Sequence, residues 1–306
     1  MAGKSFRKGL GIIELMEMFP DEDAARTWFE ATRWPNGRTC AHCGSERTSE
    51  ASHAKMPYWC ADCRSYFSVK TGTVMEASKI KLHKWAIAFY QMVTNLKVVS
   101  SMKLHRDIGV SYPTALFLSH RIRKAMQGGD PLFSGPVEAD ETYIGGKEAN
   151  KHEAKKLHAG RGAVGKSAVA GIKDRNTNQI TAMPVETTDA RTLQGFVHGH
   201  TYSQTVVFTD DARAYVGLRR PHGAVSHSTR EFVDGMAHTN GIESFWAMLK
   251  RGYNGVYHKM SAKHLNRYVT EFEWRHNVRM EDTIAQMSDL MRGTIGKRLR
   301  YREMVA

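Results

Sequence analysis

Cysteine is scarce in this sequence. Four in 306 residues are too few for a disulfide scaffold, and reduced thiols in a bacterial-type cytoplasm are the expectation. No window reaches 18 uninterrupted apolar residues, which argues against a membrane-spanning helix. The first residues are basic, but Glu14 and Glu17 interrupt the apolar run behind them, a poor match to a secretory signal. Internal repeats and low-complexity tracts are absent. The composition is that of ordinary globular domains, about two at this length. Acids are in deficit: 31 Asp and Glu face 44 Lys and Arg, a net charge of +13. That excess attracts polyanions, nucleic acid first and an anionic membrane surface second.

What is present changes texture along the chain. Residues 10–34 carry apolar residues at helical spacing, interrupted at Pro20 and Asp21, and read as two short helices. Residues 38–70 are polar, turn-rich and hold all four cysteines. From 79 to 127 the helical pattern returns, with Leu82, Trp85, Ala86, Phe89, Met92, Val93 and Leu96 on one broad face. Gly128, Gly129, Pro131, Gly135 and Pro136 mark a boundary. Beyond it the pattern is α/β. Strand-like runs are Val137–Ile144, Ala168–Ile172, Ile180–Pro184, Thr205–Thr209 and Ala224–His227. Helical stretches follow at 190–198, 240–251 and about 261–277.

The cysteines form two pairs, Cys40-Ala-His-Cys43 and Cys60-Ala-Asp-Cys63, with 16 residues between them. Two such knuckles make a tetrahedral sulfur cage, which suits Zn²⁺. A redox role needs only one pair, usually at a helix start. Four cysteines close the coordination shell, so the expected zinc is structural. Tyr58 and Trp59, then Tyr66 and Phe67, are expected to supply hairpin strands.

Residues 71–130 hold nine Lys and Arg against three acids. Helix, short helix, the turn Gly109-Val110-Ser111, then a helix carrying Arg121, Arg123 and Lys124 fits a helix-turn-helix, with those three cations as DNA contacts. The bland alternative is a three-helix bundle with a solvated basic face. A second basic stretch, 145–175, has eight Lys and Arg against three acids. Its Gly-rich middle lacks phosphate-loop spacing and reads as a basic hairpin tip.

Three acids stand where an α/β pattern concentrates chemistry. Asp140 lies inside a strand-like run, where a carboxylate must be paired or bind metal. Alternation puts Glu138 on the same face and Glu141 on the other. Asp210 and Asp211 end the run from Thr205, at the strand edge where α/β sheets receive ligands. Glu243 lies on an amphipathic helix, three residues after Asn240 and seven before Lys250. Acids on a first strand, a fourth strand and a late helix make the layout of an RNase H-like two-metal site. Such a site activates the attacking oxygen and stabilises the leaving oxygen of a phosphoryl displacement.

The motifs CAHC…CADC, VEADETYIGGK, FTDDARAY and HTNGIESFWAMLKRG together resemble the bacterial insertion-sequence DDE transposases with an N-terminal zinc ribbon, the IS1595 group. The resemblance covers about residues 15–280. It implies Asp140, Asp210 and Glu243 as catalytic residues and ligands of two Mg²⁺ or Mn²⁺ ions, with Lys250 as the basic residue after the third acid. Asp211 and Asn240 are the alternatives at the second and third positions. The Thr-Asp motif with Tyr215 downstream favours Asp210, and charge with the matching Lys250 favours Glu243. The implied fold is an α+β multidomain chain. N-terminal helices occupy 1–37, the zinc ribbon 38–70, the helix-turn-helix-like segment 71–130, the RNase H-like α/β catalytic domain 131–280 and a basic tail 281–306. The implied function is metal-dependent cleavage at element ends and strand transfer into target DNA, in the bacterial cytoplasm. Double-stranded DNA is the partner, with self-association in a synaptic complex. Two other readings stand beside it: a zinc-ribbon DNA-binding regulator with an inactive RNase H-like domain, and a nuclease that cuts without joining.

Overall fold

The structure is a computed structural model that describes residues 8–95, 97–146, 152–156, 164–225 and 238–305. Local signals account for its first helices. Pro20 follows α1 (Ile12–Met18), and Asp21 opens α2 (Glu22–Arg33) by accepting the Ala24 N–H at 2.8 Å. The ribbon comes next, with β1 (Thr48–Glu50), β2 (Tyr58–Cys60) and β3 (Ser65–Phe67) in one antiparallel sheet. The expected hairpin is there, with Tyr58 opposite Phe67 and Trp59 opposite Tyr66.

Helices α3 (Leu82–Thr94), α4 (Ser101–Ile108) and α5 (Tyr112–Met126) follow. Ser100 caps α4, Gly109 ends it in the left-handed region at φ 59°, and Ser111 caps α5, which has Pro113 in its first turn. The residues read as a basic tail form α9 (Thr283–Gly293) and α10 (Tyr301–Val305). Met287, Leu290 and Met291 of α9 are fully buried, and α9 packs on α2, α3 and α5. The chain divides into two compact units. The first runs to Gln127 and resumes at Met280; the second is Gly128–Arg279.

The second unit is built on β4 (Val137–Ile144), β5 (Ser167–Asp174), β6 (Ile180–Val185), β7 (Val207–Asp210) and β8 (His222–Val225), in the order β6-β5-β4-β7-β8. β4, β5 and β6 are an antiparallel meander, and β7 and β8 add parallel to β4. This is the RNase H-like arrangement expected for an α+β chain. On one face Val137, Ala139 and Ile172 pack with Leu193, Phe196 and Val197 of α6 (Ala190–His200). The other face receives α7 (Asn240–Gly252), and α8 (Ala262–Asn277) packs on β6. Asn277 pins that edge strand by bonding both the N–H and the carbonyl of Ile180, each at 2.8 Å. Residues 147–151 and 157–163 of the second basic stretch, which include the first part of the expected hairpin tip, and residues 226 and 227 of the last expected strand lie outside the described residues.

A carboxylate site on the sheet and a cysteine cage

In the parallel ladder Val137 pairs with Val207 and Glu138 with Phe208. Carrying this register two residues further brings Asp140 beside Asp210, at the carboxyl end of β7. Neighbouring strands lie about 4.8 Å apart, and paired side chains share a face. The electrostatics agree. The Asp140 carboxyl is pushed up to about 7, first by burial, then by the charges of Glu141 and Asp210. Glu141 is also raised, by burial and by Asp210, although the Tyr215 hydroxyl donates to it at 3.1 Å. The alternation read from the sequence holds: Glu141 meets Tyr215, a member of the α6-side core, while Glu138 and Asp140 meet α7.

Two bonds join α7 to β4. The Ile242 N–H donates to Glu138 Oε2 at 2.8 Å, and the Trp246 indole N–H donates to Asp140 Oδ2 at 2.9 Å. The donors come from residues one helical turn apart on α7, and the acceptors are two apart on one face of β4. Glu138 is 2% exposed and also receives Arg175 Nε at 2.9 Å, with His238 Nδ1 at 3.3 Å. Two glycines make this approach feasible. A Cβ on Gly171, the cross-strand partner of Asp140, would lie 2.5 Å from the Trp246 ring. A Cβ on Gly241 would lie 2.7 Å from Glu138 Oε2.

Glu243 and Lys250 are exposed on α7, as is Asn240 at its first turn. The Glu243 carboxylate accepts the Thr239 hydroxyl at 2.9 Å. Asp211 is exposed, and Asp210 Oδ1 accepts the Ala212 N–H at 3.1 Å. Among the described residues, only the four cysteines gather three or more candidate ligand atoms within 4.8 Å of one another.

Those cysteines form the second site. Cys40 Sγ lies 3.6 Å from Cys63 Sγ, and Cys43 Sγ lies 3.7 Å from Cys60 Sγ. A tetrahedron with 2.3 Å metal–sulfur bonds has edges of about 3.8 Å, so the donor set fits Zn²⁺. Backbone N–H groups, that of Cys63 foremost, draw the Cys60 thiol down to about 6, toward the thiolate a metal needs. Burial, then hydrogen bonding with the other three thiols, pushes Cys63 up to about 12. Tyr58 and Phe67 pack around the cage, and the Tyr58 hydroxyl donates to Glu30 of α2 at 2.7 Å.

Two stretches of the chain match known domain families. Residues 132–277 match the ISXO2-like transposase domain and residues 20–65 match the transposase zinc-ribbon domain. The chain carries both domains of the IS1595 transposase family. An uncharacterized protein in transposable element ISH50 of Halobacterium salinarum is 29% identical over 278 residues, covering 86% of this chain and 93% of the relative. An intasome of simian T-cell lymphotropic virus, solved in complex with the PP2A regulatory subunit B56 gamma, is matched at 14% identity and a TM-score of 0.26. That match spans 57% of this chain and 61% of the other, less than two thirds of its length.

In this IS1595-family chain the three cations read as DNA contacts stand differently. Arg123 is 1% exposed and donates to the Ser119 hydroxyl at 3.2 Å, so its guanidinium is not at the surface. Arg121 is partly buried with its guanidinium 4.3 Å over the Phe117 ring, and burial lowers its pKa. Lys124 donates to Gln127 at 2.6 Å. The open basic surface of this unit includes a hollow of about 540 Å³ lined by Lys79, Lys81, His83, Lys84, Val110 and Thr114. In the sequence Trp246 reads as a core residue, with no sign of its bond to Asp140, and Gly171 carries no assignment. A lone glycine inside a strand, which signals close approach by another group, was the available clue.

Proposed function

We propose that this transposase-family chain is an active DDE enzyme that binds the ends of its element, cuts them and joins them to target DNA. The observation that supports this reading is the β4–β7 register, Val137 with Val207 and Glu138 with Phe208, which carried two residues further brings Asp140 level with Asp210 at the carboxyl end of β7. Two buried-edge carboxylates that repel each other suit divalent cations. Asp140 and Asp210 would hold them, and Glu243 is the third ligand we favour. It lies one helical turn before Trp246, whose side chain already reaches Asp140, whereas Asn240 lies almost two turns away. Mg²⁺ or Mn²⁺ there supplies Lewis acidity to the phosphoryl oxygens.

In the first step a water oxygen bonds to the scissile phosphorus as its bond to the 3′ oxygen breaks. The water's proton passes to solvent, and the leaving oxygen is protonated to a 3′-OH. In the second step that hydroxyl bonds to a target phosphorus and one target P–O bond breaks. One ester bond replaces another, so no energy-rich cofactor is needed. Lys250, exposed two turns beyond Glu243, is suited to a DNA phosphate. For the DNA contact we favour Lys79, Lys81 and Lys84, exposed or partly exposed around one hollow, over the buried Arg123.

The test is a cleavage and strand-transfer assay on DNA carrying the element ends, with Mg²⁺. Cleavage and joining by the wild type, both lost in Asp140→Ala and Asp210→Ala, support the reading. Cutting without joining would make the chain a nuclease, and end binding without cutting would make it a DNA-binding regulator.

A further inference from the structure

We infer that Trp246 is a positioning residue for Asp140: its indole N–H fixes one carboxylate oxygen, leaving the remaining lone pairs for a divalent cation, and Gly171 is the notch that admits the indole. The inference rests on the two-carboxylate reading above and adds a residue to it. Three observations carry it. The first is the bond itself, 2.9 Å from Nε1 to Oδ2, made by a tryptophan only 3% exposed. The Asp140 carboxylate is the partner of this buried indole N–H, whereas the Trp85 indole, fully buried in the helical core, has none among the described residues.

The second is the notch. Asp140 and Gly171 face each other across the β4–β5 ladder. A Cβ on Gly171 would lie 2.5 Å from Cη2 and 2.7 Å from Cζ2 of Trp246, inside any normal contact distance. The position opposite Asp140 therefore lacks a side chain where the indole crosses the sheet. The third is the second anchor. The Ile242 N–H on Glu138 sets the height of α7, so the indole arrives at Asp140 with little freedom left. A tryptophan serving only as core would need neither a hydrogen bond aimed at this acid nor a glycine beneath it. Groups that hold a metal-binding carboxylate by its outer oxygen set its orientation and basicity.

The experiment uses the full chain with Mn²⁺ or Mg²⁺ as the probe and needs no DNA. Trp246→Phe keeps the ring in the core and removes the N–H. Calorimetric titration should show cation binding weakened by about 10–100-fold, the usual effect of losing such an outer partner, with the unfolding transition still cooperative. Gly171→Ala, which displaces the indole by a clash while leaving Trp246 itself unchanged, should weaken binding in the same direction. Unchanged cation affinity in a folded Trp246→Phe overturns the inference.

Asp140→Asn separates this inference from the reading beneath it. If wild-type binding does not depend on Asp140, the two-carboxylate reading fails and this inference with it. If binding depends on Asp140 but not on Trp246, only this inference fails. Should Trp246→Phe not fold, ¹⁵N-indole spectra of the wild type decide. Of its six tryptophan N–H signals, one should move both on adding Mg²⁺ and in Asp140→Asn. If no signal responds to either, the indole does not hold the acid.

Discussion

Asp140 comes level with Asp210 when the parallel register of β4 on β7, which pairs Val137 with Val207 and Glu138 with Phe208 at an offset of 70 positions, is carried two residues further, and the charge of Asp210 is felt at Asp140. The same interval separates the two acids in the chain. Asp210 is the last residue of β7, while Asp140 lies within the β4–β5 ladder, two residues past the last β4–β7 pair.

Asp140→Ala, Asp210→Ala and Glu243→Ala should each abolish strand cleavage while leaving end binding close to that of the wild type. A gel assay for cleavage with a binding assay on the same DNA checks this. If Glu243→Ala still cuts and Asn240→Ala does not, the third ligand is Asn240.

Purified protein should contain about one zinc per chain, and Cys40→Ser with Cys60→Ser should lose it together with the fold of residues 38–70. Metal analysis and limited proteolysis report the two outcomes. A protease-resistant ribbon in the zinc-free double variant would contradict the structural role of the cage.

Neutralising Lys79, Lys81 and Lys84 together should lower DNA affinity. It should also flatten the slope of log affinity against log salt by up to about 0.9 for each DNA phosphate that no longer meets a cation. Replacing the buried Arg123 should instead cost stability and leave the slope of the folded fraction unchanged. An unaltered slope in the triple-lysine variant would remove that surface from the DNA interface.

Arg175 neutralises a Glu138 carboxylate that is 2% exposed. Arg175→Met should destabilise the second unit by about 3–5 kcal/mol, because it leaves a buried charge without its main counterion. Chemical denaturation measures the loss; a change within about 0.5 kcal/mol, the range of an ordinary surface substitution, would show that the pair contributes little.

Burial pushes Glu273 up to about 7, against an ordinary 4.5. Between those values the folded chain keeps a proton that the unfolded chain has released. Stability from this group is therefore highest below pH 4.5 and falls as pH rises toward 7. Glu273→Gln should raise the melting temperature at pH 8 by a few degrees, from about 2–3 kcal/mol of relieved charge burial, and change it little at pH 4.5. A gain of equal size at both pH values would show that charge is not its source.

The sequence by itself determined what depends on spacing along the chain. Paired CxxC knuckles specify a cage, Ser111 and Pro113 start a helix, and alternation through Val137–Tyr143 separates Glu138 and Asp140 from Glu141. Each is a local period or a cap, legible because neighbouring residues enforce it. Tertiary structure alone decided the rest. Arg123 looks like surface charge in a basic run, yet α5 is covered widely enough, by α4 and α9, to bury it. The stretch read as a basic tail forms helices, one of them held by burial of Met287, Leu290 and Met291 against elements far back in the chain. Trp246 reads as core from its helical position, and it is core; its bond to Asp140 exists only because strand register puts Gly171 opposite that acid. Register and helix docking are set by surfaces that meet only in the folded chain, so residues distant in sequence acquire roles that no local period encodes.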